Sequence, residues 1–174
     1  MLEFIFDSTR AVSDLLLAGV LARHPDVWWG RECRHIADSG ARSTHRLGPP
    51  VPRLDSERAL IEAPACIKVR AEVGGVTADV TSYTRLLYRA ERRHDRWWLV
   101  SLEPIYERGT IVPVSPDAVP QLDPVRLARF RPSYRALAYH LDGLGYPIDD
   151  DLFGDDRSAG VESLYTRSFA WLHG

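Results

Sequence analysis

The sequence predicts an α+β protein: one helix, then an antiparallel meander of four strands, then a helical extension. Three observations carry this. Residues 11–22 repeat apolar side chains at helical spacing, residues 59–106 alternate with period two through two hairpin turns, and residues 123–174 return to helical spacing after a proline-rich run.

Taken in order, Asp7 or Ser8 caps a helix that runs to about His24, where Pro25 ends it, and Val12, Leu15, Leu16 and Leu21 form its apolar face. Residues 25–43 contain Trp28-Trp29, Gly30 and Gly40 and read equally as a short helix or as irregular chain. The run THRLGPPVPRL, residues 44–54, reads as an edge strand broken at Gly48-Pro49-Pro50, because proline cannot donate to a ladder. The turn DSER leads into a long strand, 59–73. Gly74-Gly75 is a strong two-residue hairpin signal and His94-Asp95 a weaker one. TIVPVSPDAVPQLDP is a proline-rich connector to three helical segments. Asp123 caps and Pro124 starts the first. The second, near 133–143, ends at Gly145-Tyr146-Pro147; the third follows Asp155-Asp156 and carries Val161, Leu164, Tyr165, Phe169 and Leu172 on one stripe. No internal repeat is present. The expected organisation is an α+β body, 1–112, with a helical extension, 113–174, packed on the same domain.

Bulk composition narrows the function. A chain of 174 residues with 45% hydrophobic content suits one domain with a real core. Net charge is −2 and the 22 basic residues are spread along the chain, which argues against nucleic acid or an anionic membrane as partner. Cys33 and Cys66 do not form a metal-ligand spacing and read as buried thiols. The start, MLEFIFDSTR, lacks the regions of a signal peptide, and residues 11–22 are interrupted by Ser13, Asp14 and Gly19, so a soluble cytoplasmic protein is expected.

With Gly74-Gly75 as loop, Val73 faces Val76, Ala71 faces Ala78, Ile67 faces Ser82, Ala65 faces Thr84, Ala63 faces Leu86 and Ile61 faces Tyr88. On this face the first strand, Ala59 to Val73, has no polar residue. Carrying the register through His94-Asp95 adds Trp97, Leu99, Ser101, Glu103 and Ile105 to the same face. Its middle then holds Ala63, Ala65, Ser82, Thr84, Ser101 and Glu103, small or polar and ringed by bulky neighbours. Small side chains leave volume and buried polar ones need partners, so a lined pocket is expected. The opposite face carries Tyr83, Leu87, Trp98, Val100, Leu102 and Tyr106 among charges, an aromatic patch that predicts either a homodimer interface or a seat for the helical extension.

THRLGPPVPRLDSERALIEAP resembles the strand, turn and strand with a leading histidine of the SnoaL-like and nuclear transport factor 2-like superfamily. YTRLLYRAERRHDRWWLVSLEPIYER resembles that group's hairpin ending in a tryptophan strand. The resemblance spans roughly residues 9–112 and implies a sheet curved into a cone around a pocket. Relatives in that superfamily include scytalone dehydratase, ketosteroid isomerase, polyketide cyclases and non-catalytic binding modules, so the fold does not choose among activities. The chain departs from the group by carrying only about one helix ahead of its sheet, which makes residues 122–174 a candidate for missing wall or lid.

Glu103 is the sharpest catalytic candidate, because a carboxylate on an apolar face has a raised pKa and suits proton transfer. The competing reading is that Pro104 introduces a bulge and turns Glu103 outward. His45 matches the resemblance's histidine as a proton shuttle, or is a surface histidine of an edge strand. Tyr88 is placed to polarise a substrate carbonyl, or is a core tyrosine. Ser82, Thr84, Ser101 and Ala65 are expected to line the ligand, with His35, near Asp38, as an oriented base or a solvated loop residue. The acidic run from Asp149 to Asp156 lacks a calcium-loop pattern and reads as helix caps. No phosphate loop, nucleophile elbow or metal motif appears, so no cofactor and no metal are expected. Two functions follow: a cofactor-independent lyase, isomerase or cyclase acting on an apolar oxygenated small molecule, or a non-catalytic binding or dimerisation module.

Overall fold

The computed structural model of the chain describes residues 42–94 and 96–174. The expected first helix, most of the ambiguous stretch 25–43, His35, Cys33 and Asp95 lie outside these residues. Five strands follow one another: β1 (Arg42–Leu47), β2 (Val51–Asp55), β3 (Arg58–Val73), β4 (Val76–Arg93) and β5 (Arg96–Pro113). They form one antiparallel sheet in the order β1-β3-β4-β5, with β2 continuing along the β1 edge of β3. Helices α1 (Pro124–Ala128), α2 (Arg135–Gly143) and α3 (Ser158–His173) complete an α+β fold. No helix among the described residues is long and apolar enough to cross a membrane.

The central hairpin forms in the register that the alternation predicts, Val73 opposite Val76 and Ile61 opposite Tyr88. Gly74 and Gly75 both take positive φ, 59° and 79°, as a two-residue turn matched to strand twist requires. A Cβ on Gly74 would also stand 2.7 Å from the Gln121 backbone, whose N–H donates to Gly74 O at 2.9 Å. That bond ties the proline-rich connector to the hairpin tip.

Three irregularities bend the sheet and set which side chains share a face. Between β1 and β2, residues 48–50 stand opposite only 63 and 64, since Leu47 pairs with Ala65 and Val51 with Glu62. Gly48 N–H donates to Pro64 O at 2.7 Å across this break, and a Cβ there would collide with the Pro64 ring. In β5, Val100 and Glu107 are extra residues: Ala90 pairs with Leu99 but Arg89 with Ser101, and Thr84 pairs with Tyr106 but Tyr83 with Arg108. Each extra residue increases local twist and inverts the facing of everything beyond it.

The extension splits between the two faces. Phe130, Tyr134, Ala136, Ala138 and Tyr139 pack with Val73, Ala78 and Val80, whereas Val161, Leu164 and Leu172 pack with Leu60, Leu87 and Ile105 on the opposite face. Gly109 lets α2 approach, a Cβ there being 2.9 Å from the Ala136 Cβ. The chain crosses at the β5 edge. Leu152 joins the first cluster and Phe153 the second, Tyr106 N–H donates to Phe153 O at 2.9 Å, and Asp155 N–H donates to Tyr106 O at 3.0 Å. Arg131 and Ser133 both bond Asp156 and hold the crossing in place.

Candidate functional site

The bulge at Val100 decides the site. Without it, Ser101, Glu103 and Ile105 would share the face of Tyr88 and Thr84; with it, Leu102 pairs with Tyr88, Pro104 with Leu86 and Tyr106 with Thr84. The expected facing of Ser101 and Glu103 is therefore corrected. Both stand on the opposite face, where Arg89 Nε donates to Ser101 Oγ at 2.6 Å and the Arg89 guanidinium lies 3.9 Å from the Glu103 carboxylate. The inversion comes from Val100, four residues before the proline suspected of causing it.

One face, called here the hydroxyl face, carries Ala59 to Val73 at odd positions on β3, Val76 to Ala90 at even positions on β4, and Leu99, Leu102, Pro104, Tyr106, Gly109 and Ile111 on β5. No charged side chain stands among them. Ser82, Thr84 and Tyr88 are buried to within 2% of full coverage, and their hydroxyl oxygens have no hydrogen-bond partner among the described residues. Ala63 and Ala65 lie beside them, also buried. Burial pushes the Tyr88 phenol up to about 12, so it stays protonated throughout the neutral range and keeps a hydroxyl proton to offer.

His45 sits on the same face through its pairing with Ile67, a consequence of the break at residues 48–50. It is exposed, yet the protein around the ring lowers its imidazole pKa by desolvation. The exposure makes it a surface group, and the lowered pKa keeps it neutral near pH 7. Its row is that of Ser82, six residues from Tyr88 along β4, which separates the two by about 20 Å along the strand and about 10 Å across it. His45 and Tyr88 do not converge, and neither meets Glu103. Among the described residues no group of His, Cys, Asp or Glu is placed to hold a metal ion.

The other face is ionic. Arg58 Nη1 donates to Trp171 O at 2.6 Å, Arg58 and Arg89 lie over the Trp171 ring at 5.3 and 5.7 Å, and Tyr165 donates to Glu62. These bonds seat α3 over Leu60, Leu87 and Ile105. The expected aromatic patch is dismantled: Leu102 and Tyr106 belong to the hydroxyl face, Leu87 is covered by α3, and Tyr83 lies under Arg108 at 4.7 Å.

The hydroxyl face gains Leu102 and Pro104, which the unbroken alternation misplaced. Their signal is the interval from Leu99 to Leu102, three rather than two, which returns apolar residues to one side and polar Ser101 and Glu103 to the other.

No family model matches the chain. It is 31% identical to Pea pathogenicity protein 2 of Fusarium vanettenii and 30% identical to a PEP2-like protein of the same fungus, in each case over 79% of this chain and 63% of the relative. An uncharacterised protein of Emericella nidulans is 26% identical over the same shares. The chain thus spans 63% of the length of the relatives it matches.

Proposed function

We propose that this chain is a small-molecule-binding module of the SnoaL-like and nuclear transport factor 2-like type, whose hydroxyl face takes a neutral, mostly apolar, oxygenated molecule. The observation that carries the reading is the trio of buried hydroxyls, Ser82, Thr84 and Tyr88, without partners among the described residues on a sheet face whose β3, β4 and β5 positions from Ala59 to Ile111 carry no charged side chain. A buried hydroxyl with no partner costs about 1–3 kcal/mol, and a ligand oxygen would recover it. An ion would find no counter-charge there. The fungal relatives bear names that refer to pathogenicity or to no activity, and they specify no ligand.

Binding fits this arrangement better than lyase, isomerase or cyclase chemistry. Proton transfer needs a base within about 3 Å of the proton it takes. Glu103 faces away, and His45 and Tyr88 are too far apart to act on one small substrate.

The test uses thermal denaturation of the full chain with a panel of neutral hydroxylated polycyclic compounds, with Thr84→Val and Ser82→Ala as the variants. A compound that raises the melting temperature of the unaltered chain should raise that of the variants less. Equal shifts in all three proteins, or a response confined to carboxylates or phosphates, would sink the proposal.

A further inference from the structure

Helix α3 covers only one end of the ionic face. At the other end the strands present three successive rows: Arg46, Cys66, Tyr83, Arg108; then Thr44, Lys68, Thr81, Thr110; then position 42, Arg70, Asp79, Val112. Arg46, Lys68, Arg70 and Arg108 are all exposed. Lys68 and Arg70 share a single carboxylate, Asp79, at 3.3 and 2.8 Å, and Arg46 and Arg108 have no carboxylate partner among the described residues. Across these three rows four exposed cations thus face the single carboxylate of Asp79, while the flanking carboxylates already have partners, Glu107 with Arg85 and Glu72 with Thr77.

We propose that the uncovered end of the ionic face docks an acidic polypeptide segment of a partner protein. Charge complementarity selects the occupant. A second copy laid on this face by two-fold symmetry would set cations against cations, which is costly. A base-stacking nucleic acid would need a free aromatic ring, and the only one in the strip, Tyr83, is roofed by Arg108. A membrane would need apolar side chains to insert, and Val112 is the one exposed apolar residue there. Arg46 and Arg108 close the ends of one row across four strands, about 14 Å apart, a span matched by four or five extended residues. Carboxylates on such a segment meet Arg46, the Lys68 ammonium and Arg108, with the Thr44 and Thr110 hydroxyls between them.

The experiment measures anisotropy of fluorescein-labelled hexaglutamate with the full chain at low and high salt. The expected result is saturable binding that salt weakens and that Arg46→Glu with Arg108→Glu weakens about tenfold or more. Arg129→Glu with Arg167→Glu makes the same change of net charge on exposed positions elsewhere and should leave binding within about twofold. Arg46→Gln with Arg108→Gln serves if the reversal disturbs folding. Equal loss in both charge-reversed proteins, absence of saturable binding, or tighter binding to a thymidine oligonucleotide or to phosphatidylserine vesicles would overturn the proposal. So would self-association at low salt that Asp149→Lys with Asp151→Lys abolishes, since the occupant would then be the acidic run of another copy.

Discussion

The two faces of the sheet are made by the same three long strands yet solve burial in different ways. The ionic face seats α3 with oriented polar bonds around an apolar centre: Arg58 to the Trp171 carbonyl, Tyr165 to Glu62, and Arg53 over Phe169 at 5.5 Å. The hydroxyl face is apolar along its whole length and buries its few polar atoms without such bonds. The ionic side is not free of such atoms, since Ser168 Oγ under α3 and Arg85 Nε also lack a hydrogen-bond partner among the described residues, but most of its polar groups are oriented onto one internal partner. A face that leaves hydroxyls unsatisfied is less stable than it could be, and sites that bind something are where such a deficit is tolerated.

The largest effect should come from emptying the seat of α3. Leu87→Ala removes a side chain that is 1% exposed, beside Leu60, Ile105 and Leu164, and should cost about 2–5 kcal/mol in urea unfolding. If the loss is under about 1 kcal/mol, α3 is not an integral part of the ionic face. Next is Gly109→Val, where the added Cβ meets both the Ala136 Cβ and Thr81 O at 2.9 Å. It should lower stability by about 1–3 kcal/mol and loosen α2 selectively, visible as faster amide exchange in residues 135–143 than in 158–173. Equal exchange in both helices would deny that the two faces are held independently.

Thr84→Val should act in the opposite direction. It replaces an unsatisfied buried hydroxyl with a methyl group of similar size, so the ligand-free chain should gain about 1 kcal/mol. A clear loss of stability would mean that the hydroxyl has a structural role and that the contrast between the faces is misdrawn. The smallest effect concerns Asp79, whose carboxyl Arg70 and Lys68 hold down at about 2 against an ordinary 3.8. Its folded pKa is depressed, so its contribution is complete above pH 3.8 and disappears as pH falls toward about 2. Asp79→Asn should remove that acid-side slope and cost under about 1 kcal/mol at neutral pH, given the exposure of its partners.

The hairpin at Gly74-Gly75 was legible residue by residue, because two glycines fix the turn and the turn fixes sixteen cross-strand pairs. The start of α1 was legible too: Asp123 accepts from the Val125 and Arg126 N–H groups, and Pro124 opens the helix. The acidic run was misread as caps, since α3 begins after Arg157 with no side-chain cap and Asp155 and Asp156 bind Arg85, Arg131 and Ser133 instead. The turn after β4 also formed as expected, with Arg93 opposite Arg96. Facing within β5 was not legible, for a physical reason. From Trp97 to Tyr106 both alternate sets are largely apolar, so the hydrophobic pattern does not penalise a one-residue slip, and a bulge at valine carries no glycine to announce it. The deciding information is long-range, in the match of Ser101 and Glu103 to Arg89. The facing of the β4 hydroxyls was read correctly because it depends on the glycine turn alone; Glu103 was misplaced because it lies beyond a bulge.

The crossing at residues 152–155 also bears on how the protein behaves in a crowded solution. Exposed strand margins invite other chains to pair with them. By pairing with Phe153 and Asp155, Tyr106 fills the middle of the β5 margin, and Pro104 and Pro113 offer no donor on either side of it. The opposite margin is blunted differently, by Pro49, Pro50 and Pro52 around the step from β1 to β2. Each border is thus interrupted along part of its length, which shortens the stretch on which an incoming strand could pair and the sheet could grow sideways into a fibre.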